Sequence, residues 1–457
     1  MRLSIALLAC AVAAPAFAQE QAAPQEAPQE QLFPATLAGH AVLPAFSLIA
    51  PPADAPRDLW ISGKFTGQSR NETPMSVEGD TGATYGSHKT GISLPFLGQP
   101  LQGMSGLAMN RAADGSWFTL TDNGFGRKVN SPDAMLFLHR MQPDFQTGTV
   151  TRAETIFLRD PDHKAPFRIA NEATDSRYLT GADFDPESIQ YLNDEFWIGE
   201  EFGPYILRVA RDGRLLEVFP TRLDGEILAG PDTDGMLVPA QPGTDFRVQR
   251  SGGYEGMALQ PETGLLWAML EKPLLGEDGQ PEGDFLRVMT FDTGAGDWTG
   301  DSYRFRLTEG ATAIGDFNFI DGTRALVIER DNGEGDAAKS CAEGADPAGC
   351  YPAPARVKNI VLVDTASRDE QGYIRRIGHV NLLDIADPDG KALPGTSAEG
   401  ANFSFPFFTI EDVARLDESH IIVANDNNLP FSGGREIGRA ADNEFILLSV
   451  PELLAAR

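Results

Sequence analysis

The chain has 457 residues, with 37 Lys and Arg against 66 Asp and Glu and a formal net charge of −29. That acidity argues against nucleic acid and anionic membranes as partners, and a composition of 42% hydrophobic and 9% aromatic residues excludes wholesale disorder. The 47 Gly and 32 Pro suit short strands joined by many turns better than helical bundles, so the expected class is all-β.

At the N-terminus, MRLSIALLACAVAAPAFA carries a basic start at Arg2, a short apolar run and a small-residue cleavage site at Ala16-Phe17-Ala18. Residues 1–18 therefore read as a cleaved signal peptide that sends the chain to the periplasm or the exterior. A competing reading takes Leu7 to Cys10 as a lipoprotein cleavage site with a lipidated Cys10. No later stretch offers the roughly 18 consecutive apolar residues of a membrane-spanning helix. Residues 19–32 have the Pro/Gln/Glu composition of a disordered linker, and 33–457 are left for the folded domain. Cleavage leaves Cys341 and Cys350, an even pair that suggests a disulfide in an oxidising compartment.

From Gly103 onward one pattern of two strands recurs five times. Its first members are Gly103 to Asn110, Phe184 to Leu192, Gly253 to Pro261, Ile314 to Ile320 and Thr409 to Leu416. The second members, each ending in charge, are Trp117 to Gly124, Phe196 to Gly203, Leu266 to Pro273, Ala325 to Asn332 and Ile421 to Asn428. Further strands follow most pairs, such as Met135 to Met141 with Glu154 to Asp160, and Tyr205 to Ala210 with Leu215 to Thr221. Four antiparallel strands per repeat predict a β-propeller of about five or six four-stranded blades, the sixth a degenerate one within Phe33 to Pro100. The last repeat supplies only Glu444 to Val450 as a third strand, and Asp58 to Phe65 is the expected outer strand that closes the ring. Aligned on Ser105, Glu187, Glu255, Asp316 and Glu411, the repeats are 82, 68, 61 and 95 residues apart, long enough to require extended loops on the rim. Two unrelated β-sandwich domains are the alternative architecture.

In a propeller the first strands line the central axis, so acids at equivalent positions converge. Asp185, Glu187, Glu255, Asp316 and Glu411 on first strands, with Glu200, Glu329 and Asp426 at the ends of second strands, are expected as ligands of a divalent metal, calcium first. Such crowded carboxylates cannot all stay ionised without cations. Asp122, Glu201 and Glu271 are the candidate acid/base groups, and Arg127, Lys128, Lys272 and Arg330 the candidates for holding a small anionic substrate. Capping of turns by single acids, and ion pairing of single cations with neighbouring acids, are the competing readings. The segment Glu329 to Asp336 is a partial match to a calcium loop.

Other chemistries find no support. Ser105 lacks a G-x-S-x-G elbow, and His40, His88, His139, His163, His379 and His420 form no close metal-binding pair. Cys350 and Arg356 have the spacing of a cysteine phosphatase, but the intervening YPAPA has prolines where a phosphate loop needs free N–H groups.

The motifs DNGFG (Asp122 to Gly126), FDPESI (Phe184 to Ile189), GEEFGPY (Gly199 to Tyr205), GYEGMA (Gly253 to Ala258), ERDNGEG (Glu329 to Gly335) and FPFFTIEDV (Phe405 to Val413) resemble the secreted bacterial phytase-like family, described as esterase-like activity of phytase. The resemblance runs from about Phe33 to the C-terminus. It implies a β-propeller with many acidic positions and a phosphoester or phosphodiester hydrolase activity. The expected protein is a monomeric, periplasmic or secreted, metal-dependent phosphoester hydrolase. A calcium-dependent lactonase or carboxylesterase, or a non-catalytic calcium-stabilised binding propeller, is the alternative.

Overall fold

Runs of β-branched and aromatic residues broken by Gly, Asp and Asn turns organise into four main sheets of eight, five, four and four strands, which divide into five antiparallel four-strand units, two of them joined into the eight-stranded sheet by a parallel contact at Thr149 and Val42. The computed structural model describes residues 30–67, 69–80, 89–233, 246–396 and 402–457; the signal peptide, the linker up to residue 29 and His88 lie outside the described residues. In chain order the first unit holds Gly106–Leu107, Trp117–Leu120, Phe137–Asp144 and Thr149–Phe157. The second holds Pro186–Leu192, Glu195–Glu200, Tyr205–Ala210 and Leu215–Pro220. The third holds Tyr254–Leu259, Leu265–Leu270, Leu286–Asp292 and Asp297–Phe305. Ala313–Phe319, Arg324–Arg330, Lys358–Arg368 and Ile374–Asn381 make the fourth, with Gln31–Leu32 added in parallel at its edge.

The fifth unit joins the two ends of the chain. Thr409–Arg415, His420–Asp426 and Asn443–Ser449 are completed by Thr36–Leu43, which pairs antiparallel with Asn443–Ser449. The closing strand expected from the sequence, Asp58 to Phe65, does not fill this place. It breaks into a 3-10 turn over Arg57–Trp60 and the two-residue strand Ile61–Ser62, and Gly63 then takes a left-handed φ of 82°. Nor do the described residues of 44–100 form a sixth four-stranded unit; they make only two-stranded pairs such as Val77–Asp80 with Lys89–Leu94.

The first strands touch one another in a closed cycle: Gly106–Leu107 meets Pro186–Leu192, which meets Tyr254–Leu259, then Ala313–Phe319, then Thr409–Arg415, which returns to Gly106–Leu107. Five apolar clusters fill the spaces between successive units. Phe118 and Leu138 of the first pack on Phe196 and Leu207 of the second, and Ile206 and Phe219 on Met257 and Leu266 of the third. Trp267 and Met269 meet Phe317 and Val327, Ile328 and Ile360 meet Val413 and Ile421, and Ile422 and Phe445 of the fifth unit meet Leu107 and Trp117 of the first. Each such side chain contributes roughly 1.5–3 kcal/mol by leaving water. This all-β, propeller-like packing brings the five first strands, and the ends of the strands beside them, to one place.

Cys341 and Cys350 are disulfide-bonded, which removes Cys350 as a nucleophile. Among the described residues no helix is long and apolar enough to cross a membrane.

Candidate metal centre

The site is built by one irregularity repeated around the cycle. In the second, third, fourth and fifth units the first strand carries a β-bulge, with the register slipping between Pro186 and Ser188, Tyr254 and Gly256, Ile314 and Phe317, and Ile410 and Asp412. A bulge leaves one residue without a cross-strand partner and re-aims its side chain. The bulged residues are Glu187, Glu255 and Glu411, and in the fourth unit the bulge spans Gly315 and Asp316. Ser105 takes the matching place in the first, next to Gly106, which pairs with Leu120.

Asp316 lies within the bulge of the fourth unit but does not join the other acids, because its carboxylate is taken up by nearby donors. Its carboxylate accepts the backbone N–H groups of Val413 at 2.8 Å and Phe317 at 2.7 Å, and Nδ2 of Asn318 at 3.0 Å. An acid at Gly315 itself has no room, because a Cβ there would lie 1.9 Å from the Ile410 carbonyl oxygen.

The same alignment sorts the second strands. Glu200 pairs with Pro186 and Glu329 with Ile314, just before the bulges, so the next residues, Glu201 and Arg330, are equivalent, as are Asp122, Glu271 and Asp426. Side chains alternate along a strand, which turns Glu200 and Glu329 away from the groups beside them. Glu200 accepts backbone N–H groups of Phe202 at 3.0 Å, Gly203 at 2.7 Å and Tyr205 at 2.8 Å, and so acts as the cap of its loop. Glu329 is held by Arg376 at 2.6 Å and by the Thr308 N–H at 3.0 Å. Neither joins the expected ligand set, and the acid of the partial calcium loop is already engaged: Asp331 accepts N–H groups of Gly333, Arg356 and Val357 and meets Lys358 Nζ at 3.2 Å.

The remaining acids form one constellation, buried except for the half-buried Asp122. Asp122, Asp185 and Glu187 each offer a carboxylate oxygen within 4.8 Å of the others, which makes them a group able to hold a metal ion. Asp122, expected as an acid/base, thus stands with the candidate ligands. Asn123 fixes Asp185 by two bonds, from its N–H at 3.0 Å and its Nδ2 at 2.6 Å. Asp426 presses on Gly103, where φ is 76° and a Cβ would lie 1.6 Å from Asp426 Oδ1, so only glycine fits. Glu255, Glu271 and Glu411 surround Arg330, whose Nη2 lies 3.3, 3.3 and 3.5 Å from their Oε1 atoms. Arg330 was expected to hold substrate, but its guanidinium is committed to these carboxylates. Glu201 is buried, and its Oε1 has no hydrogen-bond partner.

Burial, reinforced by the neighbouring charge of Asp185, pushes Asp122 up to about 7. Burial also pushes Asp185 up to about 7, with Glu200 adding to the rise. Glu255 rises to about 8 through burial and then the charge of Glu271. Glu187, Glu201, Glu411 and Asp426 are all held well above the ordinary carboxylate range, by burial first and then by one another's charges. Burial works to lower the Arg330 pKa, and the charges of Glu255, Glu411 and Glu271 outweigh it and raise it.

A consequence for stability follows. Between the ordinary carboxylate value near 4 and about 7, the metal-free folded chain keeps protons on Asp122 and Asp185 that the unfolded chain has released. Stability is therefore present at low pH and lost as pH rises through this window. With chelator, the melting temperature should fall by roughly 5 °C or more between pH 5 and 8. Excess divalent metal should cancel that fall, because metal binding strengthens as the ligands deprotonate. Scanning calorimetry across pH checks both, and a flat chelated profile would contradict the first.

Beside the ring lies a cavity of about 270 Å³ lined by Arg127, Lys128, Phe202, Asp232, Arg250 and Lys272. Lys272 Nζ donates to the carbonyls of Arg250 and Ser251 and meets Glu271 at 3.1 Å. Arg250 pairs with Asp232. Lys128 is buried, its Nζ lies 4.7 Å from the Phe202 ring centre, and it has no hydrogen-bond partner. Burial lowers the Lys128 pKa, although the nearby acids Glu200, Asp232, Asp183 and Asp185 oppose the shift.

Two further buried acids stand within two residues of the constellation in sequence. Asp183 caps its loop, accepting the N–H groups of Ala170 and Thr180. Asp412 follows the Glu411 bulge and is buried with neither oxygen partnered. The acidic pair at 411 and 412 was its only signal in the sequence.

The family described as phytase-like, esterase-like activity of phytase, matches residues 99–429. A curated relative, an uncharacterized secreted protein of Arthroderma benhamiae, is 27% identical over 124 residues, covering 24% of each chain, so the match spans about a quarter of that relative's length. Among solved structures, a GH43 endo-arabinanase from Bacillus licheniformis is 12% identical over 76% of this chain and 93% of its own, with a TM-score of 0.35. The Bacillus subtilis arabinanase Arb43A is 10% identical over 77% and 94%, with a TM-score of 0.34.

Proposed function

The chain belongs to the phytase-like family, and from that premise we propose that it is a periplasmic or secreted, metal-dependent hydrolase of phosphoesters. The observation that carries this reading is the convergence of carboxylates from equivalent bulge and strand-end positions beside a cation-lined cavity. In this reading the five units are the blades of a five-bladed propeller, residues 33–457 form one monomeric domain, and the signal-peptide pattern directs export.

Asp122, Asp185 and Glu187 would hold the ion. An all-carboxylate donor set suits a hard cation such as calcium, and the unpartnered Glu201 Oε1 points to a buried site that expects a further partner. A bound ion supplies Lewis-acid polarisation of a phosphoryl oxygen and neutralises developing charge. Glu201 takes the proton of the attacking water at Oε1 and returns it to the leaving alcohol. Lys128, with Arg127, holds the phosphoryl group's peripheral oxygens in the cavity. Lys272 fixes Glu271 and the carbonyls at Arg250 and Ser251, which keeps that wall in place.

Lys128→Met should raise KM for a phosphoester about tenfold, with kcat changed less than about threefold, as loss of one charge-assisted contact requires. Steady-state kinetics with calcium present reads this, and an unchanged KM would remove Lys128 from the substrate site.

The reading itself is tested by assaying calcium-loaded protein on p-nitrophenyl phosphate, bis-p-nitrophenyl phosphate, phytate and p-nitrophenyl acetate. Phosphate or phosphodiester cleavage well above ester cleavage is the expected result. Cleavage of the carboxylester alone would move the chemistry to carbonyl substrates, and silence on all four would leave a binding protein.

A further inference from the structure

We propose that the ring takes a single divalent cation, on the side of Asp122, Asp185 and Glu187, and that Arg330 is a built-in second cation that keeps another ion out. The inference rests on the metal-binding half of the reading above and on nothing about the reaction.

At the strand-end position, four of the five units present an acid, Asp122, Glu201, Glu271 and Asp426, and the fourth unit presents Arg330. Its Nη2 sits among three carboxylate oxygens at 3.3 to 3.5 Å, one from each of three other strands, an arrangement a divalent ion would otherwise occupy. The guanidinium is held over the Phe408 ring at 5.7 Å, and Nη1 reaches Asn332 at 3.4 Å. Lys272 adds a second positive charge on the same side, at Glu271.

On the side of Asp122, Asp185 and Glu187 the charge of Lys128 acts on Asp185, but among the described residues no guanidinium or ammonium is ion-paired within the group as Arg330 is in its own. Asp122, Asp185 and Glu187 lie together with no Lys or Arg among the described residues ion-paired to them, and the pairing that fixes Asp185 comes from the neutral Asn123. The buried Glu201 Oε1 also lacks a partner. Crowded, unpaired carboxylates on one side and a carboxylate cage already filled by a guanidinium on the other favour one ion rather than the two-metal arrangement common among phosphoester hydrolases.

The test is a metal count on the mature chain equilibrated with calcium, by mass spectrometry under non-denaturing conditions, with affinities from isothermal titration. The wild type should hold about one calcium, Arg330→Lys about one, and Arg330→Met about two. Glu187→Gln should lose the ion, whereas Glu271→Gln should keep it with affinity changed less than about tenfold. Two ions in the wild type, one ion in a folded Arg330→Met, or loss of the ion in Glu271→Gln would overturn the proposal. If Arg330→Met does not fold, the contrast between Glu187→Gln and Glu271→Gln decides alone. One bound ion without hydrolysis retires the hydrolase reading and leaves this one standing, and no bound ion in the wild type overturns this one whatever the activity.

Discussion

On the proposed reading, Glu187→Gln should lower calcium-dependent phosphoester cleavage by at least about 100-fold in kcat/KM and leave the chain folded. Glu187 is the bulge residue of the second unit and a member of the group whose oxygens lie within 4.8 Å of one another. Its amide replacement preserves shape and removes one anion from a place where Asp185, Glu255, Glu411 and Glu201 all oppose its charge. The chelated variant should therefore melt above the chelated wild type at pH 8, by a few degrees. A catalytic ligand lost and a metal-free fold strengthened is a pairing that a merely structural residue does not give. Kinetics and calorimetry on one preparation read both; retained activity, or a variant less stable than wild type in chelator, contradicts this role.

A chain starting at residue 44 should melt at least about 10 °C below one starting at residue 30, or fail to fold. Thr36–Leu43 pairs along Asn443–Ser449, and its loss strips the outer strand from the unit that closes the cycle. Leu37 and Ala41 leave the core, and Phe33 and Ala35 go with them. Glu444 loses His40, which holds its Oε2 at 3.0 Å, and keeps only Arg435. Circular dichroism melting of the two chains checks this, and equal melting temperatures would show that the closing strand contributes little.

Much of this was legible before any coordinates. The repeat could be read because each first strand carries a polar residue ahead of an apolar alternation, and each second strand ends in charge. Glu187, Glu255 and Glu411 were found because identical chemistry recurred at the bulge. Asp316 fits the letter pattern, but it shares the bulge with Gly315 and its carboxylate turns to the Val413 and Phe317 N–H groups, which no letter pattern encodes. Glu200 and Glu329 misled because in GEE and ERD two charged residues adjoin, and strand alternation lets only one face inward. The closing strand was misplaced because TLAGHAVL looks weak, with small residues where long ones are expected. Gly39 is small because a Cβ there would lie 2.6 Å from Cβ of Phe145, a contact between units that no local pattern encodes. Lys128 was noticed as a charge, but its burial against Phe202 belongs to the folded loop alone.

The most direct measurement is p-nitrophenol release from bis-p-nitrophenyl phosphate and phosphate release from phytate by the purified mature chain, before chelation, after chelation and after calcium is restored. Activity lost on chelation and recovered with calcium, and absent throughout in Glu187→Gln, is the expected result. Hydrolysis that persists in chelator, or that Glu187→Gln retains, would contradict a catalytic metal at the carboxylate ring.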